Sequence, residues 1–456
     1  MAGISRALAT AAFGVALAAA LAGCSTTDGG DEDSSGPALP KLSDLNPFGQ
    51  AKTALPGKRV AVLTTEDQIG GRIEGATGSI SIPAQNGPSE WATPGGTASN
   101  APGHLPLAGS LRTLWTADAG TGSSFAGKLT APPIVHQGRV YVMDASSHVS
   151  AYAAAGGGRA WSVRATPDGE SESKAFGGGI AAESGRVFAV TGYGTAVAFD
   201  AGSGAKVWEK KLGAPFHTAP TVADGRLFAS NIDGLVFSLA VADGSTLWTY
   251  HGVPQQAAAL LTGTRPAVSG DLVIVPFTSG DMAALKVDSG AQVWIDSLSG
   301  AHSSSALSSL SDPSSPVAQG GSVYAVSRSG RLISDIEGTG VRAWSMNLNG
   351  VETPWVAGDA IYVVDLTGRL VAINRASGEV RWAAKLPGNA KVWSGPVLAG
   401  GKLWLASSKG ALVGVDPTTG KTEAQRDLGA PVYIAPIVAD NKMFVLTDHA
   451  GLIAIE

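Results

Sequence analysis

A glycine followed four residues later by a tryptophan recurs along this chain at regular intervals, at Gly157/Trp161, Gly204/Trp208, Gly244/Trp248, Gly290/Trp294, Gly340/Trp344 and Gly378/Trp382. These tryptophans lie 38 to 50 residues apart. A period of that length copies a supersecondary unit and is far too long for the turns of a helix, so the chain is an array.

Each unit has the same internal grammar. A short apolar run opens it, usually after a proline, at Pro133, Pro220, Pro266, Pro316, Pro354, Pro396 and Pro436. A second run is rich in β-branched and aromatic residues, as in Leu272-Val273-Ile274-Val275 and Ile361-Tyr362-Val363-Val364, which suits a buried strand. A glycine turn follows, then a third run such as Leu370-Val371-Ala372-Ile373, a tight turn of the Asp200-Ala201-Gly202-Ser203-Gly204 kind, and a fourth run bearing the tryptophan. Four strands joined by tight turns, with no helical stretch between units, make one blade of a β-propeller. Second strands begin near Val140, Val187, Leu227, Leu272, Val323, Ile361, Leu403 and Met443. The expected fold is therefore all-β, an eight-bladed propeller of four-stranded antiparallel blades over residues 111–456.

The last unit, Pro436 to Glu456, holds only three strands. The missing strand is predicted upstream in Leu111-Arg112-Thr113-Leu114-Trp115-Thr116, so that an N-terminal strand joins the C-terminal three and closes the ring. Closure removes an exposed edge of unpaired backbone groups. The opening prolines fit an innermost strand, one of whose edges faces the channel and needs no donor.

Ahead of the ring the composition changes. Arg6 precedes an Ala/Leu/Val-rich segment, too short to span a bilayer, that ends in Leu21-Ala22-Gly23-Cys24. The ending resembles a bacterial lipobox and implies a lipoprotein signal peptide over 1–23. Cys24 would be the acylated first residue of the mature chain, carrying palmitate-type chains, and multiple acylation anchors stably. Ser25 in place of an aspartate implies sorting to the outer membrane, on its periplasmic side. Residues 24–57 are rich in Gly, Ser, Pro and acid and read as a flexible tether. Over 58–110 two short strands are possible, Val60-Ala61-Val62-Leu63 and Ile80-Ser81-Ile82. This extension either packs on a blade or stays loose.

The Gly-x-x-x-Trp blades are similar to the pyrroloquinoline-quinone-type propeller repeat, and eight of them behind a lipobox resemble the BamB family of outer-membrane protein assembly factors. The resemblance covers Leu111 to Glu456. It implies a non-catalytic scaffold of the β-barrel assembly machinery, docked to the periplasmic domains of the barrel insertase and aiding insertion of outer-membrane β-barrel proteins. In that family two connections form the docking surface, one with a leucine-plus-arginine segment and one with a Leu-Ser-Asp segment. Here they correspond to residues 254–266 and 307–316, so the resemblance implies partner contacts by Leu260, Leu261, Arg265 and Asp312. The chain departs from the family at two points: Arg265 lies a few positions beyond the leucines, and Ser314 stands where a second acid is usual. Read from the residues alone, the two leucines also suit core cover and Asp312, before Pro313, suits a turn.

Other functions find less in the sequence. The net charge is −5, or −6 without Arg6 and the rest of the signal peptide, and no basic cluster interrupts the ring, which disfavours nucleic acid. A quinoprotein enzyme needs carboxylate and amide ligands for Ca²⁺ and commonly a cysteine pair, whereas Cys24 is the sole cysteine. The seven histidines lack metal-binding spacing. No catalytic residue, cofactor or metal is expected. The alternative reading is a periplasmic propeller that binds a small ligand on its axial face, or a quinoprotein-like one. The repeated tryptophans read as structural, and Trp355, Trp393 and Trp404, outside the repeat, as core.

Overall fold

The computed structural model describes residues 79–125, 127–172, 174–252, 264–298 and 313–456. The signal peptide and tether, Cys24, the possible strand at Val60 to Leu63, and Leu260, Leu261 and Asp312 all lie outside the described residues.

The described part is an eight-bladed propeller built from eight four-stranded antiparallel sheets. Blade 1 runs through Ile134–His136, Arg139–Met143, His148–Ala153 and Arg159–Arg164. Blades 2 to 7 repeat that order from inner strands Gly178–Glu183, Thr221–Ala223, Ala267–Ser269, Val317–Gln319, Trp355–Ala357 and Trp393–Ala399. Blade 8 combines Ile437–Ala439, Lys442–Leu446 and Gly451–Ile455 with Thr113–Asp118 as its outer strand. The ring therefore closes as the sequence predicts, with Trp115 opposite Ala454 and Thr116 opposite Ile453.

Burial follows from stacking blades face to face. The middle strands are covered on both sides, so Arg186–Thr191 and Ala360–Val364 are almost wholly apolar and buried. Outer strands alternate, as in Lys206–Lys211, where Trp208 points inward between exposed neighbours. The glycine and the tryptophan of the repeat meet across blades. Each of seven indoles, from Trp115 to Trp382, donates its Nε1–H to a carbonyl in the next blade at 2.7–3.1 Å. The same ring lies against that next blade's turn glycine, and in every case but Trp294 it packs on an aromatic residue of its own blade, as in Phe228–Trp248 at 5.8 Å between centroids. Trp355, Trp393 and Trp404 are buried as well.

One detail of the strand reading needs correction. Six of the seven prolines stand one residue before the inner strand and not within it; only Pro396 is inside, where the ladder shifts register between Ser394 and Val397. The short inner strands keep every donor for the neighbouring strand, and proline occupies positions where no ladder bond is required.

Residues 79–110 pack on the ring. Ile80 to Ile82 forms no strand; the Ser81 N–H donates instead to the Asp359 carboxylate at 2.8 Å. Trp91 exchanges two backbone bonds with Val135 of blade 1, and the Ala92 carbonyl accepts from Ala182 of blade 2. The Ala98 and Ser99 carbonyls accept from Val268 and Ala318 of blades 4 and 5. Gly103 accepts the Trp355 indole of blade 6, and Leu105 bridges Leu398 and Gly400 of blade 7. The extension is thus stitched to the inner strands of six blades and plugs the channel. His104 locks its return, its Nε2 accepting from Gly401 while Nδ1 donates to the Pro83 carbonyl at 2.7 Å.

Candidate functional site

The two connections singled out in the sequence join blade 3 to blade 4 and blade 4 to blade 5, and their described C-terminal flanks stand where the inner strands begin. These flanks are tied together. The Arg265 N–H donates to Ser315 Oγ at 3.1 Å, and Ser314 is fully buried, bonded through its N–H to the Val326 carbonyl at 2.7 Å. The serine that replaces a family acid is therefore a structural residue of blade 5.

The same end of the ring opens into an axial cavity of about 320 Å³. Its floor is the plug, through Trp91, Gly95 and Asn100, and its walls are the residues leading into the inner strands. Arg265 lies in this wall, only 9% exposed, with Nε donating to Asn100 Oδ1 at 2.8 Å. A docking contact through Arg265 would thus be made through the cavity mouth. Asn100 in turn donates to the Pro316 carbonyl at 2.8 Å and, more weakly, to that of Pro266 at 3.4 Å.

Glu352 faces the same space. Its Oε2 accepts a long bond of 3.4 Å from the Gly395 N–H, and no ion pair joins it to Arg265. Burial pushes the Glu352 carboxyl up to about 7, opposed by the Gly395 N–H, the Arg265 charge and the Ser394 hydroxyl. Burial likewise pushes Arg265 down to about 10, opposed by Glu352, so the guanidinium stays charged at neutral pH. Among the described residues no group of His, Cys, Asp and Glu side chains is arranged to hold a metal ion.

Glu352 and Asn100 escaped the sequence reading, yet one signal was present. In the two positions before each of the seven repeat prolines, Arg265 and Glu352 are the only charged residues; the rest are small or apolar, as in Thr218-Ala219 and Ile434-Ala435. Those positions converge on the axis once the ring is closed. Asn100 carried no such signal, because the plug lies outside the repeat.

The geometry belongs to a known group of propellers. A family profile described as outer membrane protein assembly factor BamB matches residues 145–384 and 368–456. The chain belongs to the BamB family. It is 27% identical to the BamB of Salmonella typhimurium over 75% of this chain and 88% of that one. It is also 25% identical to an uncharacterized protein of Rickettsia conorii over 50% and 56%. Across the strongest sequence matches the aligned part spans 30% to 70% of the relative's own length. In structure, BamB from Moraxella catarrhalis superposes with a TM-score of 0.64 at 20% identity, covering 76% of this chain and 99% of that one. A quinohemoprotein alcohol dehydrogenase from Comamonas testosteroni reaches 0.63 at 13% identity over 80% of each chain, which is a likeness of fold alone.

Proposed function

We propose that this chain is a non-catalytic, lipid-anchored scaffold subunit of the β-barrel assembly machinery, held on the periplasmic side of the outer membrane by Cys24. Membership of the BamB family is the observation that carries the reading. Its partner is the barrel insertase, gripped by the two connections around Leu260, Leu261 and Asp312, with Arg265 reached through the cavity mouth. Two features support this assignment. The flanks of both connections are fixed to one another, giving a rigid base, and the outer strands of blades 3 and 4 that lead into them expose Leu247, Val293 and Ile295. Exposed apolar side chains at a rigid rim are suited to interface anchoring.

The test is a mild-detergent pull-down of the tagged, acylated chain from its own envelope, beside a variant with Leu260, Leu261 and Asp312 changed to Ala. Recovery of the insertase by the parent and its loss in the variant is the expected result. Recovery by both discards these residues as the docking surface, and recovery by neither overturns the scaffold reading.

A further inference from the structure

The axial cavity has a composition that a docking contact at Arg265 alone does not use. Two opposite charges, Arg265, only 9% exposed, and Glu352, partly exposed toward the cavity, do not pair with each other, and Arg328 is a second cation in the lining. Arg265 bonds to the plug only through Nε, and its two terminal nitrogens have no hydrogen-bond partner among the described residues. The Glu352 carboxylate accepts only a long bond at Oε2 from the Gly395 N–H and has the Ser394 hydroxyl beside it. Holding separated charges out of water is costly, and a chain that needed only to fill its axis would place small or apolar residues there, as its other blades do at the equivalent positions. The surrounding wall is mixed, with the aromatic faces of Trp91 and Trp355 and the side chain of Ile434.

We propose that this cavity binds a small zwitterion of the amino-acid or dipeptide class, its carboxylate on the terminal nitrogens of Arg265 and its ammonium on Glu352. A guanidinium fork matches a carboxylate in geometry, and a carboxylate accepts from an ammonium, so one ligand satisfies both groups. The volume lies at the lower end of the range for small-molecule sites, which suits one or two residues and excludes a folded segment. The plug closes the channel below, so the ligand enters from the end where the inner strands begin. The inference shares Arg265 with the scaffold reading, but its test contains no insertase, so failure of one is distinguishable from failure of the other.

The test uses the full chain in detergent with three probes: alanyl-alanine, its N-acetyl form and its C-terminal amide. Saturation-transfer NMR establishes binding and calorimetry ranks the three. Alanyl-alanine is expected to bind, and loss of either free terminus to weaken it by about tenfold or more. Glu352→Gln, nearly isosteric, should erase the preference for a free amine while leaving the preference for a free carboxylate; a merely unfolded variant would lose both. Arg265→Lys should do the reverse. The proposal is overturned if no probe binds at millimolar concentration, if all three bind alike, or if Glu352→Gln leaves the amine preference intact.

Discussion

Trp208 and Gly244 form one interlocking unit across the boundary between blades 2 and 3. The indole Nε1 donates to the Val241 carbonyl at 3.1 Å, and a Cβ placed on Gly244 would stand 2.7 Å from Cε3 of the same ring. Gly244 also has φ of +72°, so the residue is constrained twice, by its backbone and by its neighbour. The repeat is thus not a motif within a blade. It is half of one clamp followed by half of the next.

Gly244→Ala should therefore cost more than an ordinary left-handed glycine. Gly225 in the same blade supplies the control, with φ of +73° and open space for at least 4 Å around the point where a Cβ would stand. Gly225→Ala should lose about 1 kcal/mol from backbone conformation alone. Gly244→Ala should lose that plus about 1–3 kcal/mol of overpacking against Trp208. Urea unfolding of the two variants checks this, and equal losses would mean that the indole moves aside freely.

The seam between blades 7 and 8 is built differently. Ala424 stands four residues after Gly420, where other blades carry tryptophan, so no indole crosses this boundary. Arg426 spans it instead, donating to the Leu111 carbonyl and to Thr113 Oγ1, while Arg112 pairs with Glu456. Arg426→Ala should weaken closure by about 1–3 kcal/mol. Hydrogen exchange should then quicken in Thr113–Asp118 well before it changes in blade 3; a uniform change around the ring would contradict a local seam.

The propeller was legible because its information is local to each unit. Tryptophan spacing, β-branched runs and glycine turns lie within one period, and the three-strand remainder at the C-terminus pointed to a partner strand near Trp115. The plug was not legible for the opposite reason. Residues such as Ala92 and Ala98 present only backbone carbonyls to strands many tens of residues away, and nothing in their side chains announces it. The cavity was half legible: Arg265 was singled out for its chain position, whereas Glu352 gained meaning only when the positions before the prolines met at the axis.

Asn100 holds the plug to the ring and predicts a large effect for a small side chain. It is buried, accepts from Arg265 and donates to two proline carbonyls of adjacent blades. Asn100→Ala leaves a buried guanidinium nitrogen and at least one carbonyl without partners, a loss of about 2–4 kcal/mol. Limited proteolysis should report release of residues 79–110 before the blades are cut. Survival of the plug at parental protease levels would show that its backbone bonds alone suffice.

Glu352 gives the molecule a pH dependence whose sign can be fixed. Its carboxyl is raised from the ordinary value of 4.5 to about 7, so between those two values the folded chain holds a proton that the unfolded chain has released. Stability must then fall as pH rises through that window and stay reduced above it, by up to about 3 kcal/mol. Glu352→Gln removes the titration, and the variant should match the parent near pH 5 and exceed it near pH 8. Asp335, also raised by burial, contributes a slope of the same sign, but it is common to both proteins and cancels in the comparison. Denaturant midpoints of parent and variant across pH 5 to 8 decide the matter. Parallel curves would mean that Glu352 is solvated through the cavity mouth and titrates as an ordinary surface acid.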